Sequence, residues 1–357
     1  MIAAMSRNCR IVVALLAALF IIVGCESVDS KVTSAAGAEP EVNVLAMGDW
    51  GNNGPGQKKI AHTLADYVRN GDRRFSGMLL AGDNFYVKLS GVNDPLWKTM
   101  FEDRYDEKVL NFPFYASLGN HDYKDNQQLI ELDYTKKNPQ SRWKMPSRWY
   151  RVDLPSTDHP VVTIFMLDSN KPLMKAEDWS AQMNWLTSEL SKPRKAEWVM
   201  MCAHHPLFSN GDHGDNGVLQ KEWGPLVRKY NVDVYLCGHD HDLQHLEVPG
   251  WNASFFLVGG GGATTRPMRV DKRGPFSQSE LGFADFSFTP AKATVRLVDS
   301  TGRILHEFEK TRNGKSRVLS STDSDPAQPR TVKSITRQDL PTTKPTTAHA
   351  ASRPIDD

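Results

Sequence analysis

The sequence predicts an α/β fold whose sheets are covered on both faces. Three observations support this: short apolar runs of strand length recur along residues 41–310, helix-period segments separate them, and each run ends abruptly in a polar cluster. Strands that are apolar almost without interruption belong to sheets buried on both sides.

The elements follow in order. Val42-Asn43-Val44-Leu45-Ala46-Met47 reads as a strand and runs into Gly48-Asp49-Trp50-Gly51. A helix is predicted over 58–69. Gly77-Met78-Leu79-Leu80-Ala81 runs into Gly82-Asp83-Asn84-Phe85-Tyr86, and the run 112–118 into Gly119-Asn120-His121-Asp122. A second helix is predicted over 181–190, with Met183, Leu186 and Leu190 at helical spacing. The runs 198–203 and 232–237 end in His204-His205-Pro206 and Gly238-His239-Asp240-His241. Segments 283–290 and 293–309, with a turn near Ser300-Thr301-Gly302, read as an antiparallel meander. Ligands of α/β sheets collect outside the carboxyl ends of strands, so the five polar clusters are expected to converge.

The ends of the chain differ from this body. Arg7 and Arg10 precede an apolar run over 11–23 and then Gly24-Cys25. As a helix that run spans about 20 Å, short of a hydrocarbon core of about 30 Å. Residues 1–24 therefore read as a secretory signal peptide. Ile22-Val23-Gly24-Cys25 resembles a bacterial lipobox, so Cys25 is expected to carry lipid and 25–40 to form a flexible tether. The expected location is outside the cytoplasm, anchored to a membrane. Residues 311–357 contain no aromatic residue and are expected to be disordered. Cys202 and Cys237 lie in apolar runs and read as buried free thiols. A net charge of +1 supplies no field for recruiting nucleic acid, and a monomer is expected.

Six of the 11 histidines fall at 121, 204, 205, 213, 239 and 241. With Asp49, Asp83, Tyr86 and Asn120 they make a mixed oxygen and nitrogen donor set, suited to iron, manganese or zinc. The strand ends offer no cysteine, which argues against a structural zinc site. A carboxylate such as Asp83 can bridge two cations, and two metals about 3.5–4 Å apart can hold a hydroxide for attack on phosphorus. Asp122 reads as a hydrogen-bond partner that orients its neighbours. Gly259-Gly260-Gly261-Gly262 lacks the Lys-Ser/Thr of a P-loop and reads as a strand-end turn. His62, His159, His245 and His306 read as structural or surface residues.

Taken in order, these five blocks, with tyrosine three residues after the second aspartate, resemble the purple acid phosphatases. The likeness is to the small tartrate-resistant type and covers about 43–309. It implies the four-layer α/β/β/α sandwich of two mixed sheets of the calcineurin-like metallophosphoesterases, and hydrolysis of phosphomonoesters, in small molecules or phosphoproteins. It further implies iron(III) on Asp49, Tyr86 and His241, and a divalent iron, zinc or manganese on Asn120, His204 and His239, with Asp83 bridging. His121 is then expected to orient the phosphate and protonate the leaving alcohol, with His213 sharing the acid role. Two departures stand out. Leu167-Asp168-Ser169-Asn170 passes directly toward the helix where mammalian members insert a loop, and His205 stands where the family often has tyrosine. A phosphodiesterase or nucleotidase on the same fold, and a non-catalytic lipoprotein that binds phosphate or metal, remain as alternatives.

Overall fold

The computed structural model describes residues 40–268, 273–322 and 329–330. The expected signal peptide, Cys25 with its expected lipid, and the expected tether through residue 39 lie outside the described residues, as does the chain beyond 330.

Two mixed sheets form the centre of the fold. The first begins with four parallel strands, β1 (Val42–Met47), β2 (Gly77–Ala81), β3 (Phe114–Ser117) and β4 (Trp143–Lys144). The second comprises β5 (Tyr150–Leu154), β6 (Val162–Met166), β7 (Trp198–Cys202), β8 (Val234–Cys237), β9 (Leu243–Glu247), β10 (Ser254–Val258) and β11 (Phe276–Gln278). Its order is β11-β9-β10-β8-β7-β6-β5, with β6, β7, β8 and β10 parallel. The chain then returns to the first sheet through β12 (Gly282–Phe288), β13 (Lys292–Asp299), β14 (Ile304–Thr311), β15 (Ser316–Thr322) and β16 (Pro329–Arg330). This antiparallel meander attaches through β12 to β1.

Helices cover the sandwich. They are α1 (Pro55–Asn70), α2 (Gln127–Lys137), α3 (Ala176–Ser191), α4 (Gly217–Glu222) and α5 (Gly224–Lys229). Pro55 starts α1, where a missing amide costs nothing. Ile60, Ala61 and Leu64 of the same helix join the main core. Strand β7 shows why the strand runs are apolar throughout. Trp198, Met200 and Cys202 enter the core shared by the two sheets, while Val199 and Met201 pack with Trp179, Leu186, Leu219 and Val227 of the covering helices. The result is the four-layer α/β/β/α sandwich. No helix among the described residues is long and apolar enough to cross a membrane.

One expectation needs adjustment, and another is made more specific. The segment from 311 was expected to be disordered, yet β15 pairs with β14 over Ser316 to Ser321. Such a strand needs backbone partners, here β14 and β16, and one inward face, here Val318 and Thr322, rather than aromatic bulk. Asn313-Gly314 supplies the hairpin turn, Gly314 at φ 80°. His245 and His306 are structural, but in the core: His245 Nδ1 and His306 Nε2 meet at 2.9 Å between β9 and β14.

Candidate metal centre

The five polar clusters meet where the carboxyl ends of the two sheets come together. Asp49 follows β1, Asp83 and Tyr86 follow β2, and Asn120 and His121 follow β3, all from the first sheet. His204 follows β7, and His239 and His241 follow β8, from the second. Three of these residues turn the chain through the left-handed region, Asp49 at φ 57°, Asp83 at φ 51° and His239 at φ 72°. Such backbone costs of order 1–3 kcal/mol per residue and persists where surrounding bonds hold it. Here the Asp49 amide donates to the Gly82 carbonyl at 3.0 Å, and the His239 amide to Asp49 Oδ2 at 2.9 Å.

The side chains fall into two adjoining groups. In the first, Tyr86 Oη lies 3.2 Å from Asp49 Oδ1 and 3.1 Å from His241 Nε2, which is itself 3.4 Å from Asp49 Oδ1. In the second, His204 Nε2 lies 3.0 Å from Asn120 Oδ1, 3.2 Å from His239 Nδ1 and 3.4 Å from Asp83 Oδ1. Asp83 also acts on the first group, where its charge and hydrogen bond help to raise the Tyr86 pKa. Ligand atoms of Asp49, Asp83 and His204 all lie within 4.8 Å of one another.

The protons on the two outer histidines show what such a cluster accommodates. His204 Nδ1 donates to the Ala81 carbonyl at 2.9 Å and His241 Nδ1 to the Thr264 carbonyl at 2.8 Å. In the neutral rings both Nε2 atoms then carry bare lone pairs, aimed at other acceptors. Lone pairs crowded against lone pairs need protons or cations between them. Burial alone would lower the pKa of His204 and of His241, but Asp83 and Asp49 respectively outweigh it and leave both raised. Burial first, then Asp49 and Asp83, hold the Tyr86 phenol protonated. The donor set therefore suits metal cations, with Asp49, Tyr86 and His241 in one group, Asn120, His204 and His239 in the other, and Asp83 beside both.

A second layer fixes these ligands. The buried Asp122 carboxylate accepts the amides of Asn84 (2.8 Å), Phe85 (3.1 Å) and Gly119 (2.7 Å), tying the β2 loop to the β3 loop. Burial, then Asp83, pushes its pKa up to about 7. The His121 ring lies against Tyr86 with centroids 4.3 Å apart, and its amide donates to Asp83 Oδ1. His205 takes a position on the pocket wall: Ser169 Oγ is 2.8 Å from its Nδ1, and its ring approaches that of His239 at 4.5 Å. The His213 ring lies tilted against that of His239 with centroids 4.0 Å apart, and its Nδ1 meets Asp240 Oδ1 at 2.7 Å. The glycine run 259–262 is laced to the end of β1, the Gly261 amide donating to the Gly48 carbonyl at 3.0 Å.

Sequence reasoning missed three contributors. Asp240 lay inside a recognised block without a role, Ser169 lay in a segment read only as a short connection, and Arg266 carried no signal at all. Arg266 Nη1 lies 2.7 Å from His213 Nε2.

Residues 42–243 match the family model for calcineurin-like phosphoesterases. Human tartrate-resistant acid phosphatase type 5 is 29% identical over 322 residues, spanning 79% of this chain and 94% of the human protein. Among solved structures, a purple acid phosphatase from yellow lupin seeds superposes with a TM-score of 0.61 at 15% identity, covering 77% of this chain and 54% of the lupin protein. The GAP50 anchor of the Plasmodium inner membrane complex gives 0.65 at 23% identity, covering 75% and 87%. The two structural likenesses speak to the fold alone.

Proposed function

The chain belongs to the calcineurin-like phosphoesterase family, its relatives there being acid phosphatases, and we propose that it hydrolyses phosphate monoesters at a centre of iron(III) and a divalent iron, zinc or manganese. The observation that carries this reading is the convergence of seven donor side chains from two sheets, with Asp83 reaching both groups. When bound, the cations would polarise an attacking water and neutralise charge on the phosphoryl oxygens.

The rest of the chemistry belongs to the chain. Asp49 and Asp83 balance the positive charge, and Asp122 holds the loops that present Asp83 and Asn120. His121 stands beside Tyr86, and its ring nitrogens take no hydrogen bond from the described residues, which leaves them open to an ester oxygen. Burial lowers its pKa, against the pull of Asp83 and with Lys124 adding to the fall. It therefore keeps its proton for the leaving alcohol only in acid. His213, oriented by Asp240, lines the pocket on the His239 side.

The fold by itself does not decide between catalysis and binding, since the Plasmodium anchor superposes on it as well. The unbroken donor set favours catalysis. The purified protein should contain two metals per chain, iron among them, and show a visible absorption band that Tyr86→Phe removes. It should turn over p-nitrophenyl phosphate faster than the bis-ester. Preference for the bis-ester would replace this reading with a phosphodiesterase, and phosphate binding without turnover of any ester would replace it with a binding protein.

We further propose that a lipid on Cys25 holds the protein at a membrane outside the cytoplasm. Cys25→Ser should move it from the membrane fraction to the soluble one, and an unchanged distribution would refute the anchor.

A further inference from the structure

Arg266 is a cation beside the metal centre that forms no ion pair with a carboxylate among the described residues. Its amide donates to the carbonyl of His241 at 3.3 Å, and its own carbonyl accepts from Ser279 Oγ at 2.6 Å. The backbone is thereby pinned next to a proposed ligand. From there the half-buried side chain reaches His213, with Nη1 2.7 Å from Nε2 and 3.1 Å from Nδ1. The His213 ring in turn lies 4.0 Å from that of His239.

A guanidinium keeps its charge at any working pH and offers a planar fork suited to carboxylates and phosphates. Other arginines of this chain use that fork on acids: Arg73 on Asp285, Arg151 on Asp153 and Glu189, Arg273 on Asp215. Among the described residues Arg266 forms no such ion pair and rests on an imidazole instead. A second cation, Lys124, stands exposed three residues after His121. Arg266 thus places a guanidinium at the pocket beside His213, where Asp240 engages the imidazole through Nδ1 and forms no ion pair with the guanidinium.

We propose that Arg266 binds a second anionic group, carried by the part of the substrate that leaves, and so favours esters and anhydrides bearing a further phosphate. The scissile phosphoryl group sits over the cations while the distal phosphate takes the guanidinium from His213. This assignment rests on the phosphatase reading above and names the residue that sets its preference.

The test compares inorganic pyrophosphate with p-nitrophenyl phosphate on the metal-loaded wild type, Arg266→Ala and Arg266→Lys, after checking that metal content and thermal midpoint match. In Arg266→Ala the ratio of kcat/KM for pyrophosphate to that for p-nitrophenyl phosphate should fall about tenfold, the low end for a charge-assisted hydrogen bond at a half-exposed site. Arg266→Lys should recover part of it. A ratio that stays at the wild-type value overturns the proposal. Should Arg266→Ala fail to fold, Arg266→Gln carries the same comparison. Should the wild type hydrolyse neither compound, the phosphatase reading fails, and calorimetry of pyrophosphate binding then tests Arg266 separately. About tenfold weaker binding in Arg266→Ala supports its role, and equal binding removes it.

Discussion

Asp49 Oδ2 receives the backbone amide of His239 at 2.9 Å, joining the end of β1 in one sheet to the end of β8 in the other. The same carboxylate offers Oδ1 to Tyr86 and His241, so one side chain sets the spacing of the two halves of the centre. Gly238 permits the approach, because a Cβ there would stand 2.3 Å from Asp49 Oδ2. Gly238→Ala should therefore disturb the centre with every ligand still present. Metal affinity is expected to fall about 10–100-fold, as when a ligand's supporting contact is lost. Metal content after dialysis against a weak chelator measures it. Wild-type retention would mean that the two sheets are held in register elsewhere.

Asp83 and His121 should separate metal binding from proton transfer. Asp83→Ala removes the carboxylate that touches both groups, so the variant should lose metal and activity together. His121→Ala removes a ring that touches Tyr86 but stays outside the donor set, so both metals should remain while kcat falls about 100-fold or more. Elemental analysis beside kcat distinguishes the two. Turnover by purified Asp83→Ala, or metal loss in His121→Ala, would reverse the roles.

The strand ends were legible because parallel strands buried on both faces produce unbroken apolar runs, and the chemistry begins where each run stops. Helix α2 was not legible for the opposite reason. Its buried positions are Gln127, Gln128, Glu131 and Tyr134, so it packs through hydrogen bonds rather than an apolar stripe. Gln127 Oε1 accepts the Leu89 amide, and Glu131 accepts from Asn84 behind the centre. Arg266 escaped because its role depends on a turn that brings it back to His213, 53 residues away in sequence. The strand at 316–322 was not read, because composition argued for disorder, although the Asn313-Gly314 turn before it was a signal in the chain.

Cys202 and Cys237 lie on neighbouring strands and point to opposite faces of the sheet. Cys202 pairs with Leu236, not Cys237, and enters the core between the sheets, while Cys237 faces the helices. A one-residue offset on a pleated sheet is enough to prevent a disulfide. Burial pushes both thiols well above the ordinary range, leaving almost no thiolate to react. Iodoacetamide should leave both unlabelled in the native protein and label both after unfolding, with the thermal midpoint indifferent to reductant. Native labelling detected by mass spectrometry would show that the sheet opens.

The His245–His306 contact should make the sandwich sensitive to acid independently of the metal centre. Burial lowers both pKa values, further lowered at His306 by His245, while Glu247 only partly offsets the fall at His245. Around the pair stand Glu247, Lys310 and Ser321, with Phe256, Phe276 and Phe308 against the rings. A histidine depressed in the folded state contributes stability that is complete above its unfolded value of about 6.5. As pH falls from there toward the folded value, the unfolded chain takes up a proton that the native state refuses. Stability then drops by about 1.4 kcal/mol per pH unit for each such group. His306→Gln keeps a polar partner for His245 but no longer titrates. The urea midpoint of wild type should therefore decline more steeply than that of the variant between about pH 6.5 and 5. Since the metal ligands are common to both proteins, the difference between the two slopes isolates the buried pair, and parallel slopes would mean that His306 takes up its proton without opening the core.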